Sequence, residues 1–430
     1  MLSEIFELAR LLRYPHWPAD KLADFRRRKL HRLVHHAFQE VPYYRDLMQR
    51  NGLRPEDIRE FSDLAQIPVT TKAMLRQAGP AALARGARDL ETLHTSGSSG
   101  TPFEVHCTPR ERRTRRLREF RMLLTAGQFG PRDQLVLLGP TLQRPSRLHR
   151  ALGFYRHAVI PCSLPGAELT ARLIAARPDV LWVFPTSLKT VLYYSGKSLA
   201  QICRPRTLLT SAQVMDTQFR NRLLAGNPGL EIVDIYGAAE VGRIAAACEL
   251  RNGLHLEEDA LHVELLLEGK PVAPGEEGTV TVTALDQLAM PFIRYEMGDL
   301  CRLRLDHCPC GRSSARIHPP AGRNADMVTL PDGRKTSCAA LDIALRNETN
   351  LVQYRFVQTG LRHIRAELFY SADPGPERLR ALLERCSALF DHEIQFSVQQ
   401  MAAYRTDGPK FKVFISELAG PAPSANASTC

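Results

Sequence analysis

The chemistry of this sequence is densest in His94-Thr95-Ser96-Gly97-Ser98-Ser99-Gly100-Thr101-Pro102-Phe103. Hydroxyl side chains surround two glycines there. Glycine lets backbone N–H groups come close to an anion, and the hydroxyls add side-chain donors. Such a loop can wrap a polyphosphate. The same composition also makes a plain surface linker. No Gly-Lys-Ser/Thr follows, so this is not a Walker loop.

Three further stretches carry charge where chemistry would need it. Asp234-Ile235-Tyr236-Gly237-Ala238-Ala239-Glu240 ends an apolar strand in a glycine turn followed by a carboxylate. Ligands collect at the carboxyl ends of parallel strands, and Glu240 there can hold a divalent cation bridging phosphates. An ordinary acid opening a helix would read the same way. In Arg294-Tyr295-Glu296-Met297-Gly298-Asp299-Leu300, Asp299 follows a glycine between two strands. It can accept from two ribose hydroxyls, although plain turn chemistry also favours Asp there. Lys410, after the Gly408-Pro409 turn, is a point charge able to neutralise a developing phosphate charge. Exposed turn lysines are common.

Cys248 with His255, in CELRNGLH, and Cys308 with Cys310, in HCPCGR, form two ligand pairs more than 50 residues apart. Three thiolates and one imidazole suit a closed, structural zinc site. Cys301, His262 and His307 compete as ligands, and buried free thiols are the alternative. Ten cysteines in 430 residues do not make a disulfide framework of the small-protein kind.

The elements that must position these groups show in the hydrophobic pattern. Residues 1 to about 85 have helical spacing, with Leu22, Phe25, Leu30, Leu33, Val34 and Phe38 on one face. Leu93 and Phe103-Glu104-Val105 flank the Ser/Gly loop as a hairpin would. Short apolar runs at 135–139, 158–160, 180–184, 207–210 and 231–236 then alternate with helical stretches at 167–177, 187–195 and 216–226. That alternation predicts an α/β core with a largely parallel sheet. From about 260 the pattern turns antiparallel, and beyond Gly322-Arg323 lies a smaller α+β segment. The chain is long enough for two or three domains, with no internal repeat.

A net charge of +11 favours anionic partners. Seven arginines between 110 and 121 predict a helix with a solvated basic face, or a landing patch for an anionic cosubstrate or an acidic carrier protein. No aromatic ladder of the kind single-strand nucleic-acid binders use interleaves them, so no nucleic-acid partner is expected. The opening MLSEIFELARLLRYPHW lacks a signal-peptide layout and no apolar run matches a membrane span, which predicts a cytoplasmic protein.

Taken in order, VPYYRDLMQRNGLRPEDI, VTTKAMLR, TSGSSGTPF, YGAAE, CELRNGLH, RYEMGDLCRL, CPCGRSSARI, GRNADMV and GPKFKVFIS resemble the phenylacetate–coenzyme A ligase branch of the adenylate-forming superfamily. The resemblance implies a large N-terminal domain over 1–321 with mixed parallel sheets and a β-barrel-like portion. A small mobile α+β domain over 322–416 would follow, and the small, polar, proline-containing composition of 417–430 predicts a disordered tail. The resemblance implies activation of a small carboxylic acid by ATP, release of pyrophosphate, and transfer of the acyl group from the adenylate to coenzyme A.

By the same resemblance Thr95, Ser96, Gly97, Ser98, Ser99, Gly100 and Thr101 hold pyrophosphate. Tyr236 and Gly237 line the adenine, with Ser211, Ala212 and Gln213 behind it, and Ala238 and Ala239 belong to the same cofactor-binding stretch. Glu240 binds Mg²⁺, Asp299 and Arg323 fix the ribose, Lys410 is the adenylation lysine, and Cys248, His255, Cys308 and Cys310 bind zinc. Phe184, Pro185, Tyr236 and 134–142 border the acyl pocket. Thr101 replaces the loop lysine of many relatives, which leaves positive charge to Mg²⁺ and Lys410. Ala239 and Ala325 stand where threonine and a hinge aspartate are usual, and LPDGRKTSC departs from the usual small-domain loop. An amine, hydroxyl or carrier-protein thiol therefore remains an alternative acceptor, and a catalytically degenerate binding protein a further alternative. The chain is expected to be a monomer or homodimer.

Overall fold

The computed structural model describes residues 2–94, 103–139, 154–320, 322–323, 327–345, 348, 350–405 and 411–418. The Ser/Gly loop over 95–101, the 140–142 part of the acyl-pocket segment, Ala325, Lys410 and the 419–430 part of the tail lie outside them. The N-terminal region is helical, as its spacing predicts: α1 (Leu2–Arg13), α2 (Ala19–Glu40), α3 (Pro42–Arg50) and α4 (Lys72–Ala78). The α2 stripe Leu30, Leu33, Val34 and Ala37 is fully buried against Leu285 and Ile293. Strands β1 (Glu91–His94) and β2 (Glu104–Cys107) pair antiparallel across the Ser/Gly loop. Helix α5 (Pro109–Leu124) follows, started by a capping box in which Thr108 and Glu111 satisfy each other's backbone N–H.

Strands β3 (Gln134–Gly139), β4 (Arg156–Pro161), β5 (Val180–Val183), β6 (Thr207–Thr210) and β7 (Glu231–Ala238) are parallel, in the order β7-β6-β5-β3-β4. Their continuous apolar runs are what a sheet covered on both faces requires. Helices α6 (Gly166–Ala176), α7 (Pro185–Ser195), α8 (Leu199–Ile202) and α9 (Thr217–Gly226) connect them. At β7 the sheet turns antiparallel through β8 (Gly242–Ala247), β9 (Leu254–Leu256), β10 (Leu261–Leu267), β11 (Lys270–Pro271), β12 (Glu277–Ala284), β13 (Tyr295–Arg304) and β14 (Arg316–Ile317). The path β7-β8-β9-β14-β13-β12-β10-β11 is continuous with the parallel half, and β15 (Gly322–Arg323) pairs with β13.

A separate core draws only on residues between 328 and 414. It joins the β16 (Met327–Thr329) and β17 (Lys335–Ser337) hairpin, α10 (Ala339–Leu345), and α11 (Pro376–Ala388) to a four-stranded sheet. That sheet contains β18 (Leu351–Gly360), β19 (His363–Tyr370), β20 (Gln395–Gln400) and β21 (Phe414–Ser416).

The basic helix departs from its expected solvated face. Arg121 of α5 is buried and bonds Asp259 at 2.9 Å and Glu257; Arg118 reaches Asp259 at 3.5 Å and Asp286. Lys29 of α2 meets Asp286 at 2.7 Å. Burial alone would push the Asp259 carboxyl up, but Arg121 and Arg118 hold it well below the usual carboxylate range. These arginines lace the N-terminal helices to the antiparallel strands. They are not a free landing patch.

Candidate active site

The Tyr236–Glu240 stretch is part of a hairpin. Strand β7 continues through Gly237 and Ala238, and a three-residue turn, Ala239-Glu240-Val241, leads to Gly242 at φ +79°. Glu240 therefore sits at a hairpin tip and opens no helix. Gly237 is required by close approach: a Cβ there would stand 2.6 Å from the Gly242 carbonyl oxygen. The turn is gripped from beneath by Arg115 of α5, which donates to the carbonyls of Ala239, at 2.9 Å, and Glu240. Gln287 Nε2 donates to the same Glu240 carbonyl at 2.9 Å. Burial lowers the Arg115 guanidinium to about 10, still fully cationic at neutral pH.

Asp299 lies within β13, beside a bulge at Gly298 (φ +73°), and not in a turn between strands. It stands in backbone register with Arg323 of β15. Two tyrosine–carboxylate pairs then cross between β7 and β13. Tyr236 Oη donates to Asp299 Oδ2 at 2.7 Å, and Tyr295 Oη donates to Glu240 Oε1 at 3.4 Å. Each tyrosine precedes its own segment's carboxylate by four residues, so each segment holds the other's acid. Strands β7 and β13 are separated by β8, β9 and β14 in the hydrogen-bonded order. Contact between them means this half of the sheet curls over the site.

Lys72 is a residue that reading the sequence missed. Its Nζ lies 3.5 Å from Glu240 Oε1 and over the Phe103 ring at 5.5 Å, at the exit of the Ser/Gly loop. The VTTK segment places it there. Thr70 exchanges backbone bonds with Arg294 and Glu296 of the β13 region at 2.8 and 2.9 Å, and the Thr71 hydroxyl caps α4. A Thr-Thr-Lys helix start was the available signal.

Ser211, Ala212 and Gln213 follow β6 at the carboxyl end of the parallel strands. Trp182 Nε1 donates to Ser211 Oγ at 2.8 Å, and Gln213 Oε1 accepts from Thr186 N and Oγ1 at 3.2 and 2.7 Å. Ala212 between them adopts φ +65°. Phe184 and Tyr236 are both buried, and Pro185 opens α7.

The four zinc candidates converge, with ligand atoms all within 4.8 Å of one another. Cys248 Sγ is 3.7 Å from Cys308 Sγ, and Cys310 Sγ is 3.3 Å from His255 Nε2. Tetrahedral zinc with Zn–S bonds of about 2.3 Å sets sulfurs about 3.8 Å apart, so this donor set fits the ion. Burial and the nearby Arg312 and Arg316 lower the His255 imidazole to about 4, keeping the neutral, ligating form. Ser314 Oγ, 3.2 Å from its Nδ1, orients the ring. The competing His262 sits against Arg26 and Phe61, and Cys301 faces Gly278 across β12–β13. The nine described cysteines are all free thiols. Among the described residues no helix is long and apolar enough to cross a membrane.

Sequence relatives, rather than the fold alone, make this chain an AMP-forming acyl-CoA ligase that works through an acyl-adenylate. A solved 2-hydroxyisobutyryl-CoA ligase in its postadenylation state overlays with a TM-score of 0.80 at 20% identity, covering 94% of this chain and 92% of that one. The same ligase in its thioesterification state gives 0.63. Within that class the chain belongs to the phenylacetate–coenzyme A ligase family. It is 31% identical to the phenylacetate-coenzyme A ligase of Escherichia coli K12 over 297 residues, 66% of this chain and 68% of that protein. The Thermus thermophilus enzyme of the same name is 29% identical over 317 residues, 70% of each. No protein-family profile matches the chain.

Proposed function

We propose that this chain activates a small aromatic acid of the phenylacetate type and passes the acyl group to coenzyme A. The observation that carries the reading is the crossed pair Tyr236–Asp299 and Tyr295–Glu240, which fixes two acids of different roles beside the loop exit. Asp299, held by Tyr236 and level with Arg323, accepts from ribose hydroxyls. Tyr236, Gly237, Ala238 and Ala239 form the adenine wall, with Ser211–Gln213 behind it. The Thr95–Thr101 loop carries pyrophosphate. Glu240 would hold Mg²⁺, since Tyr295 and Lys72 approach its carboxylate only to 3.4 and 3.5 Å and a single carboxylate plus phosphate oxygens suits that ion. When bound, the ion neutralises phosphate charge.

A carboxylate attacking the α-phosphate brings two anions together, and fixed cations must screen their repulsion. Lys72 supplies charge from the large half, where the loop itself has none. Lys410 supplies it from the 322–416 segment, which we read as a small mobile domain whose rotation about 322–326 exchanges Lys410 for the thiol route. Cys248, His255, Cys308 and Cys310 would hold zinc in a closed structural role.

Pyrophosphate exchange into ATP, screened over aromatic and aliphatic acids, tests the reading. Exchange with an arylacetic acid, followed by thioester on adding coenzyme A, is the expected result. Silence across the panel would overturn it. Lys410→Ala abolishes exchange with little change in unfolding midpoint; unchanged exchange would remove Lys410 from the mechanism.

A further inference from the structure

The described residues on either side of the 406–410 stretch are anchored. Behind it, the Phe411 ring carries the Arg355 guanidinium at 4.2 Å, and Arg355 Nε donates to the Lys412 carbonyl at 3.0 Å. Ahead of it, the buried Gln353 side chain bonds both the N–H and the C=O of Arg405, at 2.9 and 2.8 Å. These contacts tie Arg405, Phe411 and Lys412 to the 328–414 core. They do not tie that core to the nucleotide side.

Tyr404 does. Its ring stacks on Tyr193 of α7 with centroids 4.6 Å apart and planes 15° from parallel. Its hydroxyl lies 3.2 Å from Thr190 Oγ1. Thr190 Oγ1 also donates to the Thr186 carbonyl at 3.0 Å, so its one hydrogen is spent and Tyr404 is the donor to Thr190. Phe369 of β19 meets the Tyr193 ring edge-on at 5.6 Å. The same helix, one turn earlier, holds Gln213 through Thr186. One rigid element thus links the candidate adenine wall to the residue six positions before Lys410.

We propose that Tyr404, received by Thr190 and Tyr193, is a positioning residue that latches the 328–414 core against α7 for acid activation and must let go before thioester formation. The inference rests on the adenylating role given to Lys410 above. Stacking and one hydrogen bond are weak enough to break in each cycle and strong enough to bias a two-position equilibrium.

The test separates the two half-reactions in the full chain. Pyrophosphate exchange reads the first, and thioester formation from synthetic phenylacetyl-adenylate and coenzyme A reads the second. Tyr404→Ala is expected to slow exchange about tenfold through kcat, without slowing the thioester half. Tyr404→Phe, which keeps the ring, is expected to restore part of that loss, and Thr190→Val to match Tyr404→Phe from the other side of the contact. Equal losses in both halves, or exchange unchanged in Tyr404→Ala, would overturn the inference. A wild-type chain silent in both halves would sink the ligase reading and this inference with it. A wild type active in both leaves the variants to decide the latch alone.

Discussion

Glu240 and Asp299 are each held by a tyrosine from the other's strand, which makes their positions interdependent. Tyr236→Phe removes the donor on Asp299 and leaves the ring in place. Its expected effect is a rise of about tenfold in KM for ATP with kcat little changed, because a ground-state contact to ribose is loosened. Lys72 belongs to a different class of effect. Lys72→Met keeps the aliphatic stem but deletes the charge beside Glu240, and exchange kcat is expected to fall about 100-fold, the scale of a lost transition-state cation. Unaltered kcat in a folded variant would assign the charge wholly to Lys410.

Two elements do the positioning, and only one was legible beforehand. The parallel strands and their helices could be read because buried runs such as Val180–Val183 and Thr207–Thr210 have no alternative placement in a doubly covered sheet. The convergence of Cys248, His255, Cys308 and Cys310 could be read because thiol spacing survives without knowledge of the fold. Helix α5 could not. Its arginines ring the helix, and the partners that bury Arg118 and Arg121 lie more than 130 residues away. The bulge at Gly298 was hidden too, since Gly-Asp is also what a turn would show. Arg115 gives the element its function. Arg115→Lys cannot reach the Ala239 and Glu240 carbonyls as a rigid fork, and the Glu240 turn should loosen. Stability is expected to fall by about 2 kcal/mol, with exchange reduced even after saturation with ATP. Between β13 and β14, Cys310→Ser is expected to lose zinc, about one ion per wild-type chain, and to lower the unfolding midpoint. Metal-free wild type with four titrating ligands would end that assignment.

Across the whole molecule, ion pairs among Lys29, Arg118, Arg121, Asp259 and Asp286 couple α2 and α5 to the curled half of the sheet. Asp259→Asn removes the carboxylate that Arg118 and Arg121 share and leaves each with one acid, Asp286 and Glu257, and urea unfolding is expected to lose about 3 kcal/mol. The 328–414 core shares no residue with that network, so its own stability should not move. The Trp182–Ser211 bond has a consequence for watching the enzyme at work. The chain contains two tryptophans, and Trp17 is enclosed by Tyr14, Phe25 and Lys21 in the N-terminal helices. Trp182 bonds Ser211, in the proposed adenine wall, through its indole N–H. A Trp17→Phe chain would therefore carry a single native tryptophan wired to the proposed nucleotide pocket, its emission expected to report each arrival and departure of adenylate without any added dye.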